Sequence, residues 1–199
     1  AGVAAALAAK RLGSKVLLVE KSVMLGGLAT LGVISWYEPL CDGNGRHIIK
    51  GIAEELLLLS IKYGFNDLPD HWRTGEGKDS SLRRYATHFS PTIFALALND
   101  LMKTEGIDVR LDMLASYPIM EQNRCKGLTV ESKSGREFFK AKVLIDATGD
   151  ADILFRGGVP CVQGENFLSY VAHGYRPRDA QKYMETKDAL NIRRWIACA

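Results

Sequence analysis

The chain has 199 residues, of which 47% are hydrophobic and 25% charged, as is typical of a soluble globular protein with one domain or slightly more. Its formal charge of +3, from 26 basic and 23 acidic residues, is too small and too dispersed to indicate a nucleic-acid partner. The four cysteines show neither a CxxC nor a zinc spacing, so we expect reduced thiols, no metal site and a cytoplasmic location. No apolar run approaches the roughly 18 residues of a membrane span.

The first 21 residues predict most of a βαβ dinucleotide-binding unit. Gly2 opens an alanine-rich helix over residues 3–12, Gly13 ends it, and an apolar strand over 15–19 delivers Glu20 at its carboxyl end. In such a unit the glycine allows close packing, the helix amino terminus faces a pyrophosphate, and the acid binds ribose hydroxyls. A glutamate here favours NAD or FAD over NADP, because a 2′-phosphate would meet a like charge.

The strand expected before Gly2, and the first two glycines of a GxGxxG motif, do not occur in the sequence. Ala1 and Gly2 match the last two positions of that motif, so we expect the chain to start inside a domain. The alternative is a fold without a nucleotide, since other α/β proteins also contain an alanine-rich helix followed by a strand ending in glutamate.

A glycine-rich loop follows Glu20 and Lys21, and residues 26–30 read GGLAT. Paired glycines permit close backbone approach to a flat or phosphorylated ligand. Together with the glycine-opened helix and the acid, this loop resembles the FAD-dependent oxidoreductase family of the glutathione-reductase fold, related to succinate dehydrogenase and fumarate reductase flavoproteins. The resemblance implies that Glu20 binds the adenosine ribose and Lys21 flanks the adenine. It also implies that the pyrophosphate and flavin lie beside Gly26, Gly27 and Thr30.

Two departures from the family pattern define what kind of flavoprotein is expected. No histidine lies between Glu20 and Gly26, so the histidine-linked covalent flavin of succinate dehydrogenases is not expected. No CxxxxC follows the glycines, so the redox disulfide of glutathione reductases is not expected either.

The middle of the chain offers weaker signals. Cys41 is expected to be a small buried hydrophobe, the alternative being a thiol near the flavin. Residues 47–63 have helical periodicity. A long polar segment over 66–87 follows.

That polar segment is expected to be a solvated connection with Tyr85 and Phe89 turned inward. Alternatively, it supplies contacts to an anionic substrate through Arg83, Arg84 and His88, because the arginine side chain matches a carboxylate. No catalytic acid or base is identified.

Ser90 and Pro91 are an N-cap and a first-turn proline, and they predict a helix over 92–104 and, after it, a strand over 107–111. The resemblance places the backbone of Ala115, just past this strand, against the adenine.

Residues 115–142 alternate strands with turns and predict an antiparallel β-meander. An apolar strand is then predicted over 143–146, and residues 147–150 after it read ATGD, which resembles the family's late FAD motif. The resemblance implies that Gly149 lets the ribityl chain approach and that Asp150 accepts its hydroxyl or meets the pyrophosphate through water. Alternatively, or in addition, Asp150 caps a helix over 151–156.

We therefore predict an α/β fold, a doubly wound parallel-sheet FAD/NAD(P)-binding (Rossmann-like) domain with an inserted antiparallel meander and its first strand missing. This domain occupies residues 1–160, and residues 161–199 start a substrate domain or connecting segment, with a helix near 178–191. The predicted parallel sheet contains residues 15–20, 107–111 and 143–146.

The predicted function is noncovalent FAD-dependent oxidation or reduction of a small-molecule substrate by hydride or electron-pair transfer. The alternatives are an NAD-binding dehydrogenase, a tRNA-modifying flavoprotein and a nonredox or inactive flavin-fold protein. A homo-oligomer or an electron-transfer partner stays open. Without its first strand, we expect the 199-residue chain alone to fold poorly, to bind FAD weakly and to be inactive.

Overall fold

The computed structural model describes residues 1–37, 40–42, 45–63, 68–69, 71–74 and 85–162. The helices are α1 (Gly2–Arg11), α2 (Ile52–Ile61), α3 (His71–Thr74), α4 (Pro91–Thr104) and α5 (Asp152–Arg156). The strands are β1 (Leu17–Val19), β2 (Trp36–Tyr37), β3 (Thr87–His88), β4 (Asp108–Arg110), β5 (Leu114–Glu121), β6 (Arg124–Ser132) and β7 (Gly135–Lys140). The helix predicted near 178–191 lies outside the described residues.

The structure is α/β and contains both parallel and antiparallel pairing. β1 pairs in parallel with β4, with Leu17 opposite Asp108, while β2 and β3 form a short antiparallel ladder. β5, β6 and β7 form a three-stranded antiparallel sheet in sequence order, which confirms the predicted meander.

The strand predicted over residues 143–146 is not a strand in the structure. Among the described residues, no strand pairs with this segment, and Val143 and Ile145 are 79% and 60% exposed. A backbone segment becomes a strand only through hydrogen bonds to a neighbour, so the apolar run alone does not suffice. The parallel sheet seen in the described residues therefore consists of β1 and β4, and the doubly wound arrangement stays a prediction.

The residues that end α1 and begin α4 act as the sequence predicts. Gly13 follows α1 with a left-handed φ of 87°, and the Ser90 hydroxyl accepts a hydrogen bond from the N–H of Ile93 at 3.4 Å. The helix predicted over 47–63 is shorter, because Gly51 adopts a φ of 65° and α2 starts only at Ile52.

The main hydrophobic core lies between α1, α2 and α4. Its central side chains, Leu7, Ile61 and Leu98, are at most 1% exposed. A second cluster surrounds Trp72, whose indole N–H donates to the carbonyl of Leu40 at 2.8 Å. The third cluster joins the meander to α5 through Leu128, Val130 and Ile153.

Truncating Leu7 to alanine is expected to lower the free energy of unfolding by about 2–5 kcal/mol, because the fully buried side chain leaves a cavity. Leu12→Ala is the matched control. Its side chain is 86% exposed just after the same helix, so a change within about 0.5 kcal/mol is expected. Urea unfolding of both variants measures the difference, and equal losses would contradict the assignment of the core.

Of the helices in the described ranges, none combines the length and the apolar character that crossing a membrane requires.

Candidate functional site

The amino end of α1 lies against β1 and against the turn that follows residues 143–146. A Cβ built on Gly2 would lie 3.4 Å from Cδ1 of Leu18 and 3.5 Å from Cβ of Ala147. These are ordinary contact distances, so a methyl group would fit, although the three segments are closely packed. The sequence predicted the packing of the helix against a strand from the glycine at its start, but not the contact with Ala147.

The positive end of α1 is open. The N–H groups of Gly2, Val3 and Ala4 have no acceptor within the helix, as in any first helical turn. Ala1 provides no side-chain cap, and the first turn contains no acidic residue. The helix dipole and these donors together favour an anion at this end.

Glu20 follows β1 directly and is held in place from one side. Its Oε1 accepts a hydrogen bond from the N–H of Ser22 at 2.9 Å and lies 2.6 Å from the Ser22 hydroxyl. No described residue donates to Oε2. The carboxylate is thus oriented by its neighbour while one oxygen keeps its capacity to accept hydrogen bonds from a ligand.

The chain leaving β4 lies beside Glu20. The N–H of Met113 donates to the Glu20 carbonyl at 3.1 Å, and the N–H of Asp112 donates to the Ser22 carbonyl at 2.9 Å. These bonds place Ala115, two residues further on, close to the end of β1. Lys21 is exposed in the same region.

The GGLAT loop is a compact hydrogen-bonded turn. Gly26 has a φ of 110° and Gly27 a φ of 56°, and a Cβ on Gly27 would meet no atom within 4 Å. Thr30 is only 3% exposed, and its hydroxyl donates to the carbonyl of Leu25 at 2.7 Å. In this structure Thr30 therefore stabilises the loop from inside, and its contact with a flavin stays a prediction.

Asp146, rather than Asp150, caps α5. Asp146 Oδ2 accepts hydrogen bonds from the N–H groups of Ile153 and Leu154, both at 2.9 Å. Asp150 is exposed and makes no side-chain cap, because the N-cap position is Ala151. The alternative role predicted for Asp150 as the cap is wrong, since the turn brings the earlier aspartate over the helix end.

Burial raises the pKa of the Asp146 carboxyl, but the hydrogen bonds that it accepts outweigh this effect, so its pKa lies below the ordinary value. A lowered pKa stabilises the fold above the unfolded-state pKa of about 3.9, and this contribution is lost as pH falls through the folded pKa.

We therefore expect Asp146→Asn to cost about 1–2 kcal/mol at neutral pH, after allowance for solvent screening, and progressively less as pH falls below the ordinary aspartate pKa of about 3.9. Urea unfolding of both proteins between pH 2 and 7 measures this. A difference that does not change with pH would contradict the role of the carboxylate.

The sequence profile of the FAD dependent oxidoreductase family matches residues 1–182. The chain belongs to this family. Its cofactor is accordingly FAD. No match to a curated protein was found.

The solved structures that resemble this chain include two from other organisms. The THI4 protein of Thermovibrio ammonificans is 15% identical, with a TM-score of 0.50 over 77% of this chain and 55% of that chain. The chain thus spans about half the length of THI4, and the likeness shows the fold alone. The myxobacterial chondrochloren halogenase CndH, described as a new variant of FAD-dependent halogenases, is 16% identical over 70% of this chain and 32% of that chain. Its TM-score is 0.40.

The described residues fit FAD in charge and in space. The open donors of α1 suit a pyrophosphate, and the available oxygen of Glu20 suits ribose hydroxyls. Gly27 and Gly149 have open space where a Cβ would stand, so a ligand can approach the backbone closely.

The residues predicted as alternative contacts to a substrate lie only partly within the described ranges. His88 stacks on Trp36 with ring centroids 6.1 Å apart, and Tyr85 and Phe89 are buried, as the prediction of an inward-turned pair required. Arg83 and Arg84 lie outside the described residues. Cys41 is 4% exposed within the second cluster, in agreement with its prediction as a small buried hydrophobe.

Sequence reasoning missed Asp146 as a residue of this region. Its signal was present, because an aspartate two residues before a threonine often accepts hydrogen bonds from the following backbone. The ATGD motif directed attention to the second aspartate instead.

Proposed function

We propose that this chain forms the FAD site of an oxidoreductase that holds FAD noncovalently and exchanges a hydride or an electron pair with a small-molecule substrate. The observation that carries this proposal is the open amino end of α1, which packs against β1, the strand that Glu20 directly follows. Bound FAD supplies the redox chemistry, and the residues of the chain bind and orient it.

The arrangement supports a specific placement of the dinucleotide. The pyrophosphate lies at the first turn of α1, beside Ala1 and Gly2, where donors have no partner. Its adenosine ribose donates hydrogen bonds to Oε2 of Glu20. The adenine lies between Lys21 and the backbone of Ala115, which the Met113 hydrogen bond brings near Glu20.

In this proposal the flavin half of the cofactor extends from the pyrophosphate in the direction opposite to the adenine. It passes the open backbone at Gly26 and Gly27, and its ribityl chain meets Gly149 and Asp150. Both of these last residues are exposed. No histidine occurs between Glu20 and Gly26, and the covalent linkage expected of a succinate dehydrogenase has no partner there.

Glu20→Gln is expected to weaken FAD binding by about 10–100-fold, because a hydrogen bond to a charged acceptor contributes about 1.5–3 kcal/mol. The amide keeps an oxygen for Ser22, so the local fold should persist. Quenching of flavin fluorescence during titration of the apoprotein measures the dissociation constant.

The matched control is Glu121→Gln, which removes the same charge from an exposed ion pair with Lys126 in the meander. Its FAD affinity should stay within about threefold of the parent. If both variants bind FAD like the parent, the ribose does not contact Glu20. If the parent binds NAD but not FAD, the proposed cofactor placement fails.

A further inference from the structure

Asp146 links both sides of the turn that separates residues 143–146 from α5. Oδ1 accepts from the N–H of Thr148 at 2.9 Å and from its hydroxyl at 2.7 Å. Oδ2 accepts from Ile153 and Leu154 at the start of α5. Each oxygen already has two donors, so this carboxylate has little capacity left for a ligand.

Thr148 completes the same network. Its hydroxyl donates to Asp146 and accepts a hydrogen bond from the N–H of Asp152 at 3.0 Å. The first three N–H groups of α5 are therefore all bonded within the protein. This helix end differs from that of α1, whose first N–H groups lack an acceptor, and it offers no donors to an anion.

The turn held by this network has an uncommon backbone. Gly149 adopts a φ of 98°, and Ala151, a residue with a Cβ, adopts a φ of 58°. A positive φ costs glycine little, but alanine keeps one only when the surrounding structure fixes it. Ile153, 3% exposed in the third cluster, anchors α5, and Asp146 then fixes the turn relative to that anchor.

The turn faces the site described above. Ala147, next to Asp146, lies against Gly2 at the open end of α1. Gly149 and Asp150 are exposed at the tip of the turn. A Cβ built on Gly149 would have no atom within 4 Å.

We propose that Asp146 is a positioning residue for FAD, which holds Gly149 and Asp150 at the amino end of α1 without touching the cofactor. This inference rests on the proposed function. It predicts that removing the carboxylate weakens FAD binding through the shape of the turn, beyond any effect on the stability of the fold.

The test compares FAD dissociation constants of the full-length protein and its variants, measured by flavin fluorescence well below the melting temperature of every variant. Asp146→Asn should raise the dissociation constant at least about tenfold and change the visible circular dichroism of bound flavin. Val130→Ala leaves a cavity in the third cluster, on β6 and outside the network, so it should lower the melting temperature at least as much and raise the dissociation constant less than about threefold. Asp152→Asn removes an equal charge nearby and should resemble the parent.

A second pair tests the network if Asp146→Asn fails to fold. Thr148→Val removes the hydroxyl and should weaken FAD binding, while Thr148→Ser keeps it and should restore the parent affinity. The proposal is overturned if Asp146→Asn binds FAD like the parent, or if Val130→Ala weakens binding equally at equal loss of stability. If Asp146→Asn does not fold, equal affinities of the two Thr148 variants overturn it. Failure of the parent itself to bind FAD would instead refute the proposed function.

Discussion

Gly26→Ala is expected to lower the free energy of unfolding by about 2–6 kcal/mol. A φ of 110° is strained for a residue with a Cβ, at about 1–3 kcal/mol, and overpacking adds about 1–3 kcal/mol. The added Cβ would stand 2.4 Å from Cγ2 of Thr30 and 3.1 Å from Cδ1 of Leu98. Thr30 cannot rotate away without losing its buried hydrogen bond to Leu25.

Gly27→Ala is the matched control for this change. Its φ of 56° lies within the left-handed region, and a Cβ would enter open space, so a loss of about 1–2 kcal/mol is expected. Urea unfolding of the apoproteins gives both values. Equal losses for the two variants would contradict the close packing of Gly26 against Thr30.

Ala4→Glu is expected to weaken FAD binding by about 30-fold while the apoprotein keeps or gains stability. At an assumed separation of about 5 Å, a carboxylate in this turn would repel a pyrophosphate bound there by about 3 kcal/mol at an effective dielectric constant of 20, and salt would reduce this to about 2 kcal/mol. The same carboxylate interacts favourably with the helix dipole, by about 0.3–1 kcal/mol. Binding and stability should therefore change in opposite directions.

Ala4→Gln separates the effect of charge from that of size, because the side chains of glutamine and glutamate have similar shapes. It should stay within about threefold of the parent in FAD affinity. Fluorescence titration gives the affinities and urea unfolding the stabilities. If the Glu and Gln variants bind FAD equally, the pyrophosphate does not lie at the first turn of α1.

The parts of the fold that depend on local chemistry were predictable from the sequence. Ser90 and Pro91 mark the start of α4, and Gly13 marks the end of α1, because capping and left-handed turns act within a few residues. The meander followed from alternation of side chains and from its turns.

Features that depend on distant partners were less predictable. Residues 143–146 are as apolar as a buried strand, but strand formation needs a neighbour that the run itself does not specify. The start of α2 was misjudged because hydrophobic periodicity continues through Gly51 regardless of its backbone angle.

The candidate site shows the same division. Gly2 and Glu20 were identifiable from a helix and a strand at fixed spacing, and the structure packs Gly2 against β1, the strand that Glu20 follows. Which aspartate of DATGD caps α5 depends on how the turn folds back over the helix, and spacing alone could not distinguish Asp146 from Asp150.

The visible absorption spectrum of the full-length protein, purified without added cofactor and followed by acid precipitation, tests the central claim most directly. We expect the bands of oxidised flavin, and we expect the colour to pass into the supernatant as FAD. Colour that stays with the precipitate would contradict noncovalent binding. A colourless protein that FAD cannot reconstitute would contradict the assignment of a FAD site to this chain.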